Sequence, residues 1–237
     1  MSIIPAILES NYNEIESKVE SIIDDAEKVH IDICDGLLVE RKTWPYSQSS
    51  NNRIEDNFQI KKLLNEEIGL PNWESINYEF DLMIQNPDMT KDIWGRIGAN
   101  TLIIHPKSFK DESGILDFIN DMNSYMIDTI LAVTYDEYFE YEDMILDLLK
   151  REIIKSLQIM TAKIIGAQGQ KFDERCIALI EKIKNENPET LIRVDCGIND
   201  KNIKKLIDIN VDEFIIGSAI FSEGNARENL NYFRDLC

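Results

Sequence analysis

The chain has 237 residues, 43% of them hydrophobic, which is enough for a sizeable core and excludes a disordered protein. Its 25 basic and 44 acidic residues leave a net charge of −19, which argues against nucleic acid and anionic membranes as partners, because both need clustered Lys and Arg. A small anionic substrate stays compatible with that charge, since backbone N–H groups and local lysines can hold a phosphate.

In chain order, an apolar run at 3–8 predicts a first strand, followed by a helical pattern through Ile15, Val19, Ile22 and Ile23. Residues 28–34 alternate apolar and polar and stop at Asp35-Gly36, which predicts a strand running into a loop. Residues 37–57 contain Trp44-Pro45-Tyr46-Ser47 and Asn51-Asn52, and read as a long loop serving as a lid or cap. Thereafter strands at 77–84, 101–105, 129–134, 157–161, 191–195 and 213–217 alternate with helices at about 58–67, 91–96, 112–124, 137–150, 173–186, 199–208 and 225–234. Eight strands, each followed by a helical stretch, predict an α/β fold, a (β/α)8 TIM barrel, with residues 1–237 as one domain.

Within 28–34, period two puts His30 and Asp32 on one face and Val29, Ile31 and Ile33 on the other. A His–Asp pair there either satisfies itself by a hydrogen bond or binds something. In a barrel of this kind chemistry lies at the C-terminal strand ends, where the polar residues are His30, Asp32, Asp35, Glu79, Asp81, His105, Lys163 and Asp195. Gly166, Gly169, Gly197, Gly217 and Ser218 fall on the last three of these loops, where glycines let backbone amides approach an anion. The four cysteines, Cys34, Cys176, Cys196 and Cys237, are too scattered for a disulfide scaffold or zinc knuckle. With no basic leader and no apolar run of membrane-spanning length, a reduced cytoplasmic protein is expected.

Several runs resemble the ribulose-phosphate 3-epimerase family: Ile4-Pro5-Ala6-Ile7-Leu8, His30-Ile31-Asp32-Ile33-Cys34-Asp35-Gly36 and Asp81-Leu82-Met83-Ile84-Gln85-Asn86-Pro87. So do Gly166-Ala167-Gln168-Gly169-Gln170-Lys171-Phe172, Arg193-Val194-Asp195-Cys196-Gly197-Ile198 and Gly217-Ser218-Ala219-Ile220-Phe221, in the family's order and across nearly the whole chain. The resemblance implies one divalent metal (Mn, Fe, Zn or Mg) on His30, Asp32, Asp81 and Asp195, with Asp32 and Asp195 as the acid/base pair. It implies isomerase chemistry of carbohydrate metabolism: epimerisation at C3 of a pentose-type ketose phosphate, ribulose 5-phosphate to xylulose 5-phosphate or a close analogue. The expected partner is a small sugar phosphate and, if the chain self-associates, further copies in a homo-oligomer.

The sequence departs from the family at several places. Asp81 stands where the family has a metal-binding histidine, which adds one negative charge to the ligand set and shifts preference from zinc towards manganese, magnesium or iron. Lys163 is an accessory candidate to offset that charge; its bland reading is a solvated loop lysine. Ala6 replaces a serine, Leu37-Leu38-Val39-Glu40-Arg41-Lys42 replaces the pattern His-Phe-Val-Pro-Asn, Ile164-Ile165-Gly166-Ala167 replaces Asn-Pro-Gly-Phe, and Cys196 replaces a glycine. These departures motivate an alternative, a non-catalytic or repurposed sugar-phosphate-binding barrel. A decarboxylase of the orotidine-monophosphate type is disfavoured, since no lysine follows Asp32 in an Asp-x-Lys-x-x-Asp pattern.

Overall fold

A computed structural model describes residues 1–167 and 169–237; Gln168 of the glycine-bearing run lies outside the described residues. Eight strands form a closed parallel barrel in sequence order: β1 (Ser2–Ile7), β2 (Lys28–Cys34), β3 (Asn77–Met83), β4 (Ala99–Ile104), β5 (Asp128–Thr134), β6 (Ser156–Met160), β7 (Leu191–Asp195) and β8 (Glu213–Ile216). The helices are α1 (Tyr12–Ile22), α2 (Phe58–Leu64), α3 (Lys91–Arg96), α4 (Glu112–Ser124), α5 (Tyr135–Glu140), α6 (Glu142–Lys150), α7 (Arg175–Glu186), α8 (Ile203–Asp208), α9 (Ser218–Phe221) and α10 (Ala226–Leu236). The fold class is the (β/α)8 barrel expected from the sequence. None of the described helices is long and apolar enough to cross a membrane.

The chain divides into two compact units, Ala6–Thr129 and Met1–Pro5 with Ile130–Cys237. In the first, α1 buries Tyr12, Ile15, Val19 and Ile22 on one stripe, and α4 buries Ile115, Phe118, Ile119 and Met122 at the same helical spacing. Each starts where a side chain takes an otherwise unpaired amide: Asn11 accepts from Glu14 N and Asp111 from Gly114 N. Trp94 of α3 is fully buried against Phe80 of β3, with ring centroids 5.3 Å apart. The 37–57 segment is packed against its own unit. It holds three short 3-10 turns and buries Trp44, Tyr46 and Ile54; Trp44 packs on Tyr12 at 5.3 Å and its amide donates to Glu9 O at 2.8 Å.

In the second unit, Thr134 and Glu137 form a capping box that starts α5. The single helix expected over 137–150 is two, because Tyr141 (φ −110, ψ 15) leaves helical geometry and resets the buried stripe to Met144, Ile145 and Leu148. The helix expected from 199 starts at Ile203. The side chains of Asn199 and Asn202 both donate to Gly197 O, at 3.0 and 2.8 Å, and Asn202 Oδ1 accepts from Asn199 N, so the asparagines hold the preceding turns in a loop.

Candidate functional site

Register decides what the second strand's polar face meets. β2 pairs with β3 so that His30 lies beside Glu79 and Asp32 beside Asp81. β3 pairs with β4 so that Asp81 lies beside Ile103, and period two brings His105, just past the end of β4, to the same face. His30, Glu79, Asp81 and His105 are each fully buried, and Asp32 nearly so. Such a run of polar groups inside a barrel is costly unless each is paired.

The pairing is orderly. His30 Nδ1 and Glu79 Oε1 are 2.7 Å apart, and Lys28 Nζ lies 3.7 Å from Glu79 Oε2. His105 Nε2 and Asp81 Oδ1 are also 2.7 Å apart. The other nitrogen of His30, Nε2, lies 3.4 Å from Asp32 Oδ1 and 3.5 Å from Asp81 Oδ2, and has no hydrogen-bond partner among the described residues. An imidazole tied to a carboxylate through one nitrogen, with its second nitrogen converging on carboxylate oxygens, has the donor arrangement that holds a divalent cation. One ligand atom from each of His30, Asp32 and Asp81 lies within 4.8 Å of the others. A His/Asp cluster able to hold a metal is therefore present.

Without a cation, the electrostatics pull these groups apart. Burial disfavours the His30 imidazolium, but Asp32, Asp81 and Glu79 together raise its pKa well above the ordinary value. Burial raises Asp32, with the Asp81 charge adding to it and His30 opposing. Asp81 goes the other way: against its burial, His105 and His30 hold it well below the usual carboxylate range. The surroundings thus favour the ionised form of Asp81 and disfavour that of Asp32.

Asp35 does not join this set. Its Oδ1 accepts from Leu37 N and Leu38 N and its Oδ2 from Gln85 N, so it fixes the turn at Gly36. Glu79 and His105, two of the polar residues expected at the strand ends, make the two definite contacts above.

Asp195 ends β7, mostly buried, and its Oδ1 accepts from Cys196 N at 2.6 Å. Beyond it the chain makes a tight turn. Cys196 has φ +77 and Gly197 φ +71; a Cβ on Gly197 would lie 2.9 Å from Gln170 O and 3.0 Å from Phe172 N, so only glycine fits that crossing. Cys196, by contrast, carries a side chain in a conformation costing about 1–2 kcal/mol, partly offset by its lower entropy in the unfolded chain. Cys196→Gly is expected to raise Tm by about 1–3 °C, measured by calorimetry; an unchanged or lower Tm would show that the turn is not strained.

A cavity of about 490 Å³ opens beside this turn, lined by Gly169, Gln170, Gly197, Asn199, Ser218 and Ser222 among others. Of the expected phosphate residues, Gly169, Gly197 and Ser218 line it. Gly166 and Gly217 do not: Gly166 is buried within its loop at φ +75, and Gly217 caps α9. Asn199, Ser222 and Asn229 were missed; the run Ile198-Asn199 after Cys196-Gly197 is the one signal that could have pointed to them. Lys163 is exposed, and its charge acts on Asp173.

With this geometry in place, comparisons with known proteins decide the family. The family model described as "Ribulose-phosphate 3 epimerase family" matches residues 2–221. The chain belongs to the ribulose-phosphate 3-epimerase family. It is 24% identical over 225 residues to the ribulose-phosphate 3-epimerase of Helicobacter pylori, covering 93% of this chain and 91% of that one. It is 27% identical over 237 residues to that of Buchnera aphidicola, covering 98% and 93%. Among solved structures, 3-hexulose-6-phosphate synthase from Salmonella typhimurium superposes with a TM-score of 0.69 at 14% identity, covering 100% of this chain and 98% of that chain. KGPDC from Streptococcus mutans in complex with D-R5P superposes with a TM-score of 0.65 at 14% identity, covering 99% and 95%. The solved structures speak for the barrel; the family match makes this chain an isomerase of the epimerase type.

Proposed function

We propose that this family member interconverts the C3 epimers of a ketose phosphate, ribulose 5-phosphate or a close analogue, with one divalent metal held by His30, Asp32, Asp81 and Asp195. The observation that carries this reading is that one ligand atom from each of His30, Asp32 and Asp81 lies within 4.8 Å of the others; Asp195 joins them as the fourth ligand of the proposal. When bound, the metal supplies Lewis acidity that offsets the negative charge developing on the substrate's C2 and C3 oxygens.

The remaining work falls to the chain's own residues. Loss of the C3 hydrogen beside a ketone needs a base, and inversion needs an acid on the opposite face. Asp32 on β2 and Asp195 on β7 come from strands well separated in the barrel order and take these two parts, exchanging roles with the direction of reaction. Glu79 holds the His30 ring through Nδ1, which directs Nε2 towards the carboxylates. Gly169, Gly197, Ser218 and Ser222 offer small side chains and accessible backbone at the cavity for the phosphoryl group. We propose that residues 1–237 work as a single barrel domain, in the cytoplasm.

Incubated in D2O with Mn2+ and ribulose 5-phosphate, the protein is expected to place deuterium at C3 of recovered substrate and to form xylulose 5-phosphate, read by NMR. Absence of both exchange and epimer with pentulose and hexulose phosphates, under Mn2+, Fe2+, Zn2+ and Mg2+, would contradict the reading. Thermal stabilisation by sugar phosphates without turnover would instead support the repurposed barrel.

A further inference from the structure

We infer that His105 is a positioning residue that makes Asp81 a one-oxygen ligand. The inference rests on the metal reading above. A carboxylate offers two oxygens and can take one or two coordination positions. Here the two oxygens of Asp81 are set apart: Oδ1 is 2.7 Å from His105 Nε2, whereas Oδ2 is 3.5 Å from His30 Nε2, on the side of the other ligand atoms. A hydrogen bond to Oδ1 draws that oxygen out of the coordination sphere and leaves Oδ2 as the ligand atom.

The surroundings of His105 fit this task. The residue is fully buried just past the end of β4, where the backbone is still extended (φ −107, ψ 127) before the turn at Pro106–Ser108. Its Nδ1 has no hydrogen-bond partner among the described residues. Facing a carboxylate, which only accepts, Nε2 is the ring nitrogen that donates. Among the described residues, the ring's one hydrogen bond is thus to Asp81. An imidazole ligand has one available nitrogen and needs no such restraint; an aspartate in its place does. Restricting Asp81 to one oxygen keeps coordination positions open for the substrate's adjacent oxygens in a ligand set already rich in carboxylates.

The test is Mn2+ binding to purified protein without substrate, followed by calorimetry and by the Mn2+ electron paramagnetic resonance spectrum. His105→Leu and His105→Met remove the donor, two variants guarding against one that does not fold; His105→Gln retains an N–H donor. The first two are expected to weaken Mn2+ about ten- to hundredfold and to change the spectrum, and His105→Gln to weaken it less. In an Asp81→His background, His105→Leu should cost much less affinity, since the carboxylate it restrains is gone. Unchanged affinity and spectrum in the donor-less variants would overturn the inference while leaving the metal site standing, and so would an equal loss in both backgrounds. If the wild-type chain binds no Mn2+, the metal reading itself fails and this inference falls with it.

Discussion

Asp195→Asn is expected to lower kcat for epimerisation by about a hundred- to ten-thousandfold, the range that a positioned acid or base contributes. The amide matches the carboxylate in shape, and its oxygen can still accept from Cys196 N, as Asp195 Oδ1 does at 2.6 Å. The turn into Gly197 should therefore survive, and the change in Tm should be small. What the amide cannot do is hold or release a proton at the working pH. Because Asp32 remains, the loss should be uneven. The epimer whose C3 hydrogen faces Asp32 should keep more of its exchange with D2O than the other. Equal exchange from both epimers, or retained turnover, would remove Asp195 from the proposed pair.

Exhaustive chelation is expected to abolish turnover, with Mn2+ restoring it and raising stability. A cation present at about 100 times its Kd adds about 2.7 kcal/mol to the folded state, or roughly 5–10 °C in Tm for a chain of this size. The burial of the site sharpens the effect. Glu79 and Asp81 have no exposed surface, so in the metal-free protein their carboxylates are held by His30, His105 and Lys28 rather than by water. The sign of the linkage follows for His30, whose folded pKa is raised. In the metal-free protein, its contribution is complete below the unfolded value near 6.5 and is lost as pH rises through the folded value. Metal binding needs the neutral ring, so Mn2+ affinity should climb with pH over the same interval. Activity and Tm indifferent to chelator would contradict the metal requirement.

The barrel was legible because its strands are nearly continuous β-branched and aliphatic runs, buried on both faces as parallel strands are. Ile130 to Val133 and Leu102 to Ile104 show the pattern. Helix boundaries slipped where side chains, not periodicity, set the ends: Asn199 and Asn202 delay α8, and Asp173 Oδ1 accepts from Arg175 N just before α7. In the site, the period-two pairing of His30 with Asp32 was readable from one strand. The partners of His30 and Asp81 were not, because Glu79 and His105 meet them only through the register of β2 with β3 and of β3 with β4, which no single strand encodes. Lys163 shows how little position alone decides. Its place after the sixth strand made it a candidate, whereas it stands exposed, with its charge directed at Asp173. Trp44 and Tyr46 are buried in packing the loop, the usual use of aromatic residues in a long loop.

The central claim is that four residues from three strands share one cation and that the cavity at Gly197 and Ser218 takes the phosphoryl group. It is tested most directly by a crystal soaked with Mn2+ and ribulose 5-phosphate, with diffraction recorded at the manganese absorption edge. The account predicts one anomalous peak bonded to His30 Nε2 and to single oxygens of Asp32, Asp81 and Asp195, with the phosphoryl group against Gly197 and Ser218. A peak elsewhere, or substrate bound with no peak at these residues, would contradict it.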